Sequence, residues 1–241
     1  MNDAIYDDPR LAEVYDPLDP DRSDLEAYTA MVDEFGARRV LDIGCGTGTF
    51  AVLLAPRGIE VVGLEPAVAS LAVARRKPGA DRVRWIPGTA RDLPALTVDL
   101  ATMTANVAQA IADPADWDAT LAGAWHVLAP GGRLVFETRV PARRAWQEWT
   151  REHTHDVSDI PGVGRVESWI DLVEVDLPLV TFRGTYVFAA DGAVLTSTST
   201  LRFRERDEIE ADLTRHGYVV DEVRDAPDRP RREWVFVARR Q

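Results

Sequence analysis

The chain has 241 residues, 46% of them hydrophobic, and a formal net charge of −12 at pH 7. That length and apolar content suit one α/β domain with a sizeable core and exclude global disorder. The acidic balance argues against nucleic acid and anionic membranes as partners, because phosphate binding needs a positive surface, and no stretch approaches the roughly 18 apolar residues of a membrane span.

The N-terminus, MNDAIYDDPR, is acidic where a secretory signal is basic, and no apolar run follows it. The single cysteine, Cys45, has no intramolecular partner for a disulfide. Both features predict a cytoplasmic protein. Residues 1–22, rich in Asp, Pro and Tyr, read as an irregular arm with a helical turn around Arg10 to Tyr15. Ser23 or Asp24 caps a helix through Leu25, Tyr28, Met31, Val32 and Phe35, which Gly36 ends. Residues 1–35 are thus an N-terminal arm and helix within a single domain spanning 1–241.

A regular alternation follows. Strands are predicted over 39–43, 60–64, 83–86, 98–103 and 133–137, with helices over 50–55, 68–75 and 117–128, the last stopped by Pro130, Gly131 and Gly132. Strands alternating with helices mean βαβ units and a mostly parallel, Rossmann-like sheet flanked by helices. The rhythm changes after Pro141. Residues 164–176, 180–189 and 193–204 are extended, and Asp191-Gly192 marks a hairpin turn. We expect an antiparallel insert over 141–204 after the fifth strand. A helix from Asp207 to His216 and strands at Tyr218 to Val223 and Trp234 to Ala238 close the chain. The basic runs at 75–77, 143–144 and 229–232 read as solvated faces.

The strongest local signal is Val40-Leu41-Asp42-Ile43-Gly44-Cys45-Gly46-Thr47-Gly48-Thr49-Phe50. A strand runs into three glycines and then a helix. Glycine lets the backbone turn sharply and approach a ligand without Cβ obstruction, and a helix N-terminus offers free N–H groups to a carboxylate or phosphate. A dinucleotide fingerprint, G-x-G-x-x-G, needs its third glycine where Thr49 stands. Asp42, just before the turn, repels a pyrophosphate but attracts an ammonium. The bland reading is a tight turn that binds nothing.

With these residues the chain resembles the class I S-adenosylmethionine-dependent methyltransferases, well over roughly residues 25–140 and loosely at the final helix and strands. The resemblance implies that Asp42 and the loop of Gly44, Cys45, Gly46 and Gly48 hold the methionine part of S-adenosyl-L-methionine. It implies that Glu65, followed by Pro66 at the end of the second strand, takes the ribose hydroxyls. It places Thr89, Ala90, Arg91 and Asp92 near the adenine, although many relatives carry Gly-Asp-Ala where this chain reads Gly88-Thr89-Ala90. Asp92 reads equally well as solvated. Thr104, Asn106 and Gln109 lie where cofactor and acceptor meet, or serve as loop caps. The Asn-Pro-Pro-aromatic or Asp-Pro-Pro-aromatic motif common in nucleobase amino-methyltransferases is absent there.

The expected function is methyl transfer to an unidentified small-molecule acceptor, by a monomer or homodimer. Rivals are a nicotinamide-dependent oxidoreductase, against which Asp42 and Thr49 speak, and a non-catalytic cofactor-binding module. A protein side chain as acceptor stays open. Ligands on open α/β sheets bind beyond the carboxyl ends of the strands, where Glu137, Thr138 and Arg139 sit. The insert that follows them brings Trp146, Trp149, His153, His155 and Trp169. Position suggests a lid over the acceptor, with at least two of the tryptophans serving only to pack. His153-Thr154-His155 is too sparse for a metal site, no metal is expected, and no catalytic residue is legible.

Overall fold

The structure, a computed structural model, describes residues 3–241; Met1 and Asn2, at the start of the expected arm, lie outside it. The arm is more regular than its composition suggests. It forms α1 (Ala4–Asp7) and α2 (Pro9–Leu18). Asp8 accepts the N–H groups of Arg10 and Leu11 at 2.8 and 3.1 Å, and Pro9 takes the first helical position, where its missing N–H costs nothing. Leu11, Ala12 and Val14 are buried. α3 (Asp24–Glu34) follows, buries Leu25, Tyr28, Met31 and Val32, and gives way to Gly36 at φ +59°.

The βαβ alternation then appears as β1 (Arg39–Ile43), α4 (Thr49–Leu54), β2 (Glu60–Glu65), α5 (Val68–Ala74), β3 (Val83–Pro87) and β4 (Val98–Met103). α6 (Val107–Ala110), α7 (Pro114–Val127) and β5 (Leu128–Arg139) complete it. The turn expected at Pro130 to Gly132 is instead a bulge inside β5. Leu128 pairs with Val98, and the next paired residue, Arg133, faces Leu100. After β5 come α8 (Arg151–Thr154) and four strands: β6 (Asp156–Ile160), β7 (Gly164–Asp176), β8 (Leu179–Phe188) and β9 (Val194–Arg202). The short polar β6 gave no sequence signal of its own. α9 (Arg206–Arg215), β10 (Tyr218–Asp225) and β11 (Glu233–Arg240) close the chain.

Seven strands make one sheet in the order β10-β11-β5-β4-β1-β2-β3, and β6 to β9 make a second, antiparallel sheet. In the first, β1 to β5 are parallel, and β11 pairs antiparallel with both β5 and the edge strand β10, so β11 alone of the seven runs in the opposite direction. Successive residues of a strand face opposite ways, so β1 sends Val40 to one face and Leu41 to the other. Val40, Leu100, Val135 and Val237 pack under α3 and α4. Leu41, Met103, Phe136 and Phe236 pack under α7 and α9, where Phe136 and Phe236 stack at 5.2 Å and Trp117 meets Phe136 edge-on.

The second sheet covers the arm. Ile5, Leu11 and Val14 pack against Ile160, Val166 and Phe188. Arg10 lies 3.7 Å above the Phe188 ring and pairs with Asp191 at 2.8 Å. The arm therefore sits between the insert and the parallel sheet, next to the carboxyl ends of β1 and β2. Among the described residues no helix is long and apolar enough to cross a membrane.

Candidate functional site

The glycine loop leaves β1 at the carboxyl edge of the sheet. Gly44, Gly46 and Gly48 have φ of +67°, +53° and +79°, a region that side chains rarely adopt. Their surroundings differ. A Cβ on Gly44 would meet Val107 Cγ1 at 2.7 Å, and one on Gly48 would meet Trp85 Cη2 at 2.5 Å. A Cβ on Gly46 would meet nothing within 4 Å. Two glycines thus serve close packing, and Gly46 faces open space, as a ligand cradle requires. Cys45 is buried, and its burial raises the thiol's pKa well above the usual value.

Two carboxylates flank the loop. Asp42 is buried. Its Oδ1 accepts from Thr102 Oγ1 at 3.2 Å, across the β1–β4 pair, and its Oδ2 has no partner among the described residues. Burial pushes its pKa up to about 7. A buried orphan acceptor on an acidic group is an invitation to a cationic donor, because leaving it bare costs free energy. Glu65 ends β2. Its Oε2 accepts the Gly46 N–H at 2.9 Å and its Oε1 accepts the Ala67 N–H at 2.8 Å. Each oxygen keeps a lone pair. Burial raises its pKa, opposed by these two N–H donors. Pro66, beside it, is exposed.

The segment after β3 is engaged with itself. Asp92 Oδ2 accepts the N–H of Thr89 at 2.8 Å and its hydroxyl at 3.0 Å, capping the turn 90–92. Those bonds hold the Asp92 carboxyl below its usual range. Ala90 is buried against Gly123. Arg91 reaches away to the start of α7, donating to Ala115 O and pairing with Asp116.

At the end of β4, Thr104 is buried and the chain passes through two left-handed residues, Ala105 (φ +55°) and Asn106 (φ +61°). Two non-glycine residues there in succession are strained. Glu137 of β5 offsets the strain: its Oε1 accepts the Asn106 N–H at 3.0 Å, and its Oε2 accepts the Tyr28 hydroxyl. Asn106 Nδ2 donates to Glu233 Oε1 at 3.1 Å, and Asn106 Oδ1 is buried without a partner. Burial, reinforced by Glu233, pushes the Glu137 pKa up to about 7. Gln109 Oε1 accepts from Arg139 Nη1 at 3.1 Å. Of these residues Ala105, Asn106, Glu137 and Arg139 form one side of a cavity of about 470 Å³, lined also by Tyr15, Arg22 and Arg229 among others.

The arm supplies the opposite wall and locks onto the glycine loop. Asp16 accepts from Thr47 Oγ1 at 2.6 Å and Thr49 Oγ1 at 3.2 Å, and pairs with Lys77 at 2.7 Å. Ser70 Oγ donates to Tyr6 O at 2.8 Å. Neither Asp16, Tyr15, Arg22 nor the Tyr28–Glu137 pair was legible as site residues; only the position of Glu137 at the strand edge hinted at it. Asp16→Ala should loosen the arm by about 1 kcal/mol, and so raise the rate of tryptic cleavage after Arg10 about fivefold. Limited proteolysis followed by mass spectrometry reads this, and unchanged cleavage would show that Asp16 does not hold the arm.

The insert lines none of this cavity among the described residues. Trp146 packs on Phe203 at 4.6 Å, and Trp149 packs on Phe182 at 4.9 Å with Arg139 5.7 Å from its ring centre. His153 bonds to Thr150, and His155 pairs with Glu167 on an exposed face beside Trp169. Neither histidine reaches the cavity. No group of three or more His, Cys, Asp or Glu among the described residues is arranged to hold a metal ion.

Comparison with known proteins bears on this geometry. Residues 40–132 match the family described as "Methyltransferase domain". The chain is similar to a demethylmenaquinone methyltransferase of Thermus thermophilus, 41% identical over 106 residues that cover 42% of this chain and 47% of that protein. It is also similar to a cypemycin N-terminal methyltransferase of a Streptomyces species, 31% identical over 144 residues and 58% of each chain. The chain spans about half the length of the curated relatives it matches. Among solved structures it is similar to the amino pentose methyltransferase CalS10 of Micromonospora echinaspora, solved with S-adenosylmethionine bound. That match has a TM-score of 0.72, 26% identity and 95% coverage of both chains. The CcbJ methyltransferase of Streptomyces caelestis shares the fold, with a TM-score of 0.78, 20% identity, and coverage of 95% of this chain and 96% of that one.

Proposed function

We propose that this chain, whose residues 40–132 are a methyltransferase domain on a class I Rossmann-like sheet, binds S-adenosyl-L-methionine and transfers its methyl group to a small molecule. The observation that carries the reading is the pairing of an open cradle at Gly46 with the unpartnered Oδ2 of buried Asp42. An amino acid's ammonium satisfies that oxygen; a pyrophosphate does not.

When bound, the cofactor supplies a methyl already activated on a sulfonium. The chain's own residues then have to bind, align and exclude water, and alignment of this kind is worth roughly 7–11 kcal/mol. Asp42 faces the ammonium, and Gly44 to Gly48 lie along the methionine part. Glu65 offers its two free lone pairs to the ribose hydroxyls while its N–H bonds hold the loop. Gly88 to Asp92 form the adenine side. Thr89 and Asp92 already bond each other there, which leaves the Ala90 backbone and one Asp92 oxygen for the ring. Thr104 and Asn106 stand between cofactor and acceptor. The insert, 141–204, acts on this region by holding the arm and the Arg139 end of β5 in place, which is a lid function exercised through α1 and α2.

Isothermal titration with S-adenosylhomocysteine and with NAD tests the reading. The former should bind and the latter should not; tight NAD binding alone would sink the assignment. The pH dependence is specific to Asp42. Its ammonium partner needs the ionised form, so affinity should rise roughly tenfold as pH climbs from 5.5 to 8 through the Asp42 pKa of about 7. Asp42→Asn should flatten that rise. A rise of the same size in the variant would take Asp42 out of the site.

A further inference from the structure

Cavity charge narrows the acceptor. Six carboxylate residues line the cavity against three arginines: Asp16, Asp19, Asp21, Asp24, Asp228 and Glu137. The arginines are already committed. Arg22 pairs with Asp24 at 3.1 Å, and Arg229 and Arg139 both face Glu233, at 2.9 and 3.7 Å. Asp16 is neutralised by Lys77. Glu137 forms no ion pair among the described residues: its oxygens accept from a phenol hydroxyl and one backbone N–H, and Arg229 and Arg139 act on it only from a distance. Beside it Asn106, 4% exposed, turns its Nδ2 to Glu233 and leaves Oδ1 without a partner. Asn106 and Glu137 thus line the cavity with a carboxylate whose oxygens each accept one hydrogen bond and a buried amide oxygen that accepts none among the described residues.

We propose that the acceptor is an aliphatic amine, that Asn106 Oδ1 and Glu137 receive its N–H groups, and that Glu137 takes the proton that frees its lone pair. This rests on the methyltransferase reading above. An ammonium has no lone pair for attack. One N–H bond breaks, its proton passes to the Glu137 carboxylate, and the electron pair stays on nitrogen. That pair forms the N–C bond to the methyl as the C–S bond breaks, with the bonding electrons passing to sulfur. The sulfonium becomes a neutral thioether, and the nitrogen becomes a methylated ammonium. Glu137 then returns its proton to solvent.

Glu137 suits the task on several sides. Tyr28 from α3 and the Asn106 N–H hold its orientation, while Glu233 of β11 opposes its ionisation and Arg229 favours it. The resulting pKa of about 7 makes it a proton acceptor that reloads near neutral pH. An alcohol acceptor leaves both oxygens poorly served, since it brings one donor and no charge.

The test uses cyclohexylamine and cyclohexanol as a matched pair, titrated into protein saturated with S-adenosylhomocysteine at pH 8. The amine should bind at least about tenfold more tightly than the alcohol. Glu137→Gln and Asn106→Gly should each cut that preference to about threefold or less. Glycine keeps the left-handed backbone at position 106, and the thermal midpoint of each variant confirms its fold. Mass spectrometry with S-adenosylmethionine should show N-methylcyclohexylamine, with a rate that rises through pH 7 in the native chain and is lost in Glu137→Gln. Equal binding of the pair, or binding of neither while S-adenosylhomocysteine binds, overturns the amine assignment. Amine binding with no methylation between pH 6 and 9, or unchanged turnover in Glu137→Gln, overturns the proton step. Failure of S-adenosylhomocysteine itself to bind counts against the cofactor reading instead.

Discussion

Replacing Glu65 by Ala should lower affinity for S-adenosylhomocysteine at least about a hundredfold and destabilise the ligand-free chain by about 2–4 kcal/mol. The first effect follows from losing two hydrogen bonds that a diol donates to the carboxylate, each worth about 1.5–3 kcal/mol. The second follows from the free chain itself. Glu65 is the acceptor for two backbone donors, Gly46 N–H and Ala67 N–H, and removing it strands both in a largely buried place. From sequence alone Glu65 looks like a ligand group whose loss leaves the apo protein unmoved. In the structure it is also the clamp that ties the β1 loop to β2. Urea denaturation and titration calorimetry on the same variant separate the two roles. Glu65→Gln restores one acceptor, and so should recover part of the stability and little of the affinity. A Glu65→Ala chain as stable as the native one would show that the clamp is energetically idle; unchanged affinity would move Glu65 out of the ribose site.

Gly48→Val should be among the most damaging single changes in the chain, at about 3 kcal/mol or more. The added Cβ would lie 2.5 Å from Trp85 Cη2 and 2.9 Å from Ala74 Cβ, on a residue at φ +79°. Neither neighbour has room to yield, because Trp85 Nε1 is tied to Ala80 O at 3.0 Å. Gly46→Ala, two residues away, should behave in the opposite way. Its Cβ enters open space, so the fold pays only the left-handed backbone cost of roughly 1–2 kcal/mol, while ligand affinity collapses. Circular dichroism and calorimetry should therefore find Gly48→Val strongly destabilised, with a much lower thermal midpoint, and Gly46→Ala near the native midpoint but unable to bind. A Gly46→Ala chain that binds normally would reduce the loop to a turn.

Much of this was legible in the chain. The parallel strands, the glycine loop and the hairpin at Asp191-Gly192 are local patterns, and local patterns survive in sequence. The arm was misread because Asp and Pro suggest irregularity when they are scattered. In the order Asp8-Pro9 they are a cap and a first turn, a signal that was present and overlooked. The short β6 is polar, and its pairing with β7 comes from register, which leaves no periodic trace. The Tyr28–Glu137 and Asn106–Glu233 contacts join residues 109 and 127 positions apart. Nothing in a single sequence announces such pairs, so the proposed acceptor side could be drawn only from the fold, whereas the proposed cofactor side, built from consecutive residues, could be drawn from the sequence.

The buried acids bear on how ligands for this protein should be sought. Asp42 and Glu137 both titrate near 7 in the folded chain, well above the usual carboxylate range. A raised carboxyl pKa means that folding favours the protonated form. The stability that these two groups contribute is therefore fully present below about pH 4 and is lost as pH rises through 7. Above that, any small cation that reaches them relieves the penalty and raises the melting temperature, whether or not it is a substrate. A thermal-shift screen run at pH 8 will return amines, guanidines and buffer cations together. Run again at pH 5.5, where both acids are protonated, the hits that depend on bare charge should vanish, and compounds held by shape and by the Glu65 and Ala90 contacts should remain. The difference between the two lists separates ligands held by the ionised acids, an amine acceptor among them, from ligands held by shape.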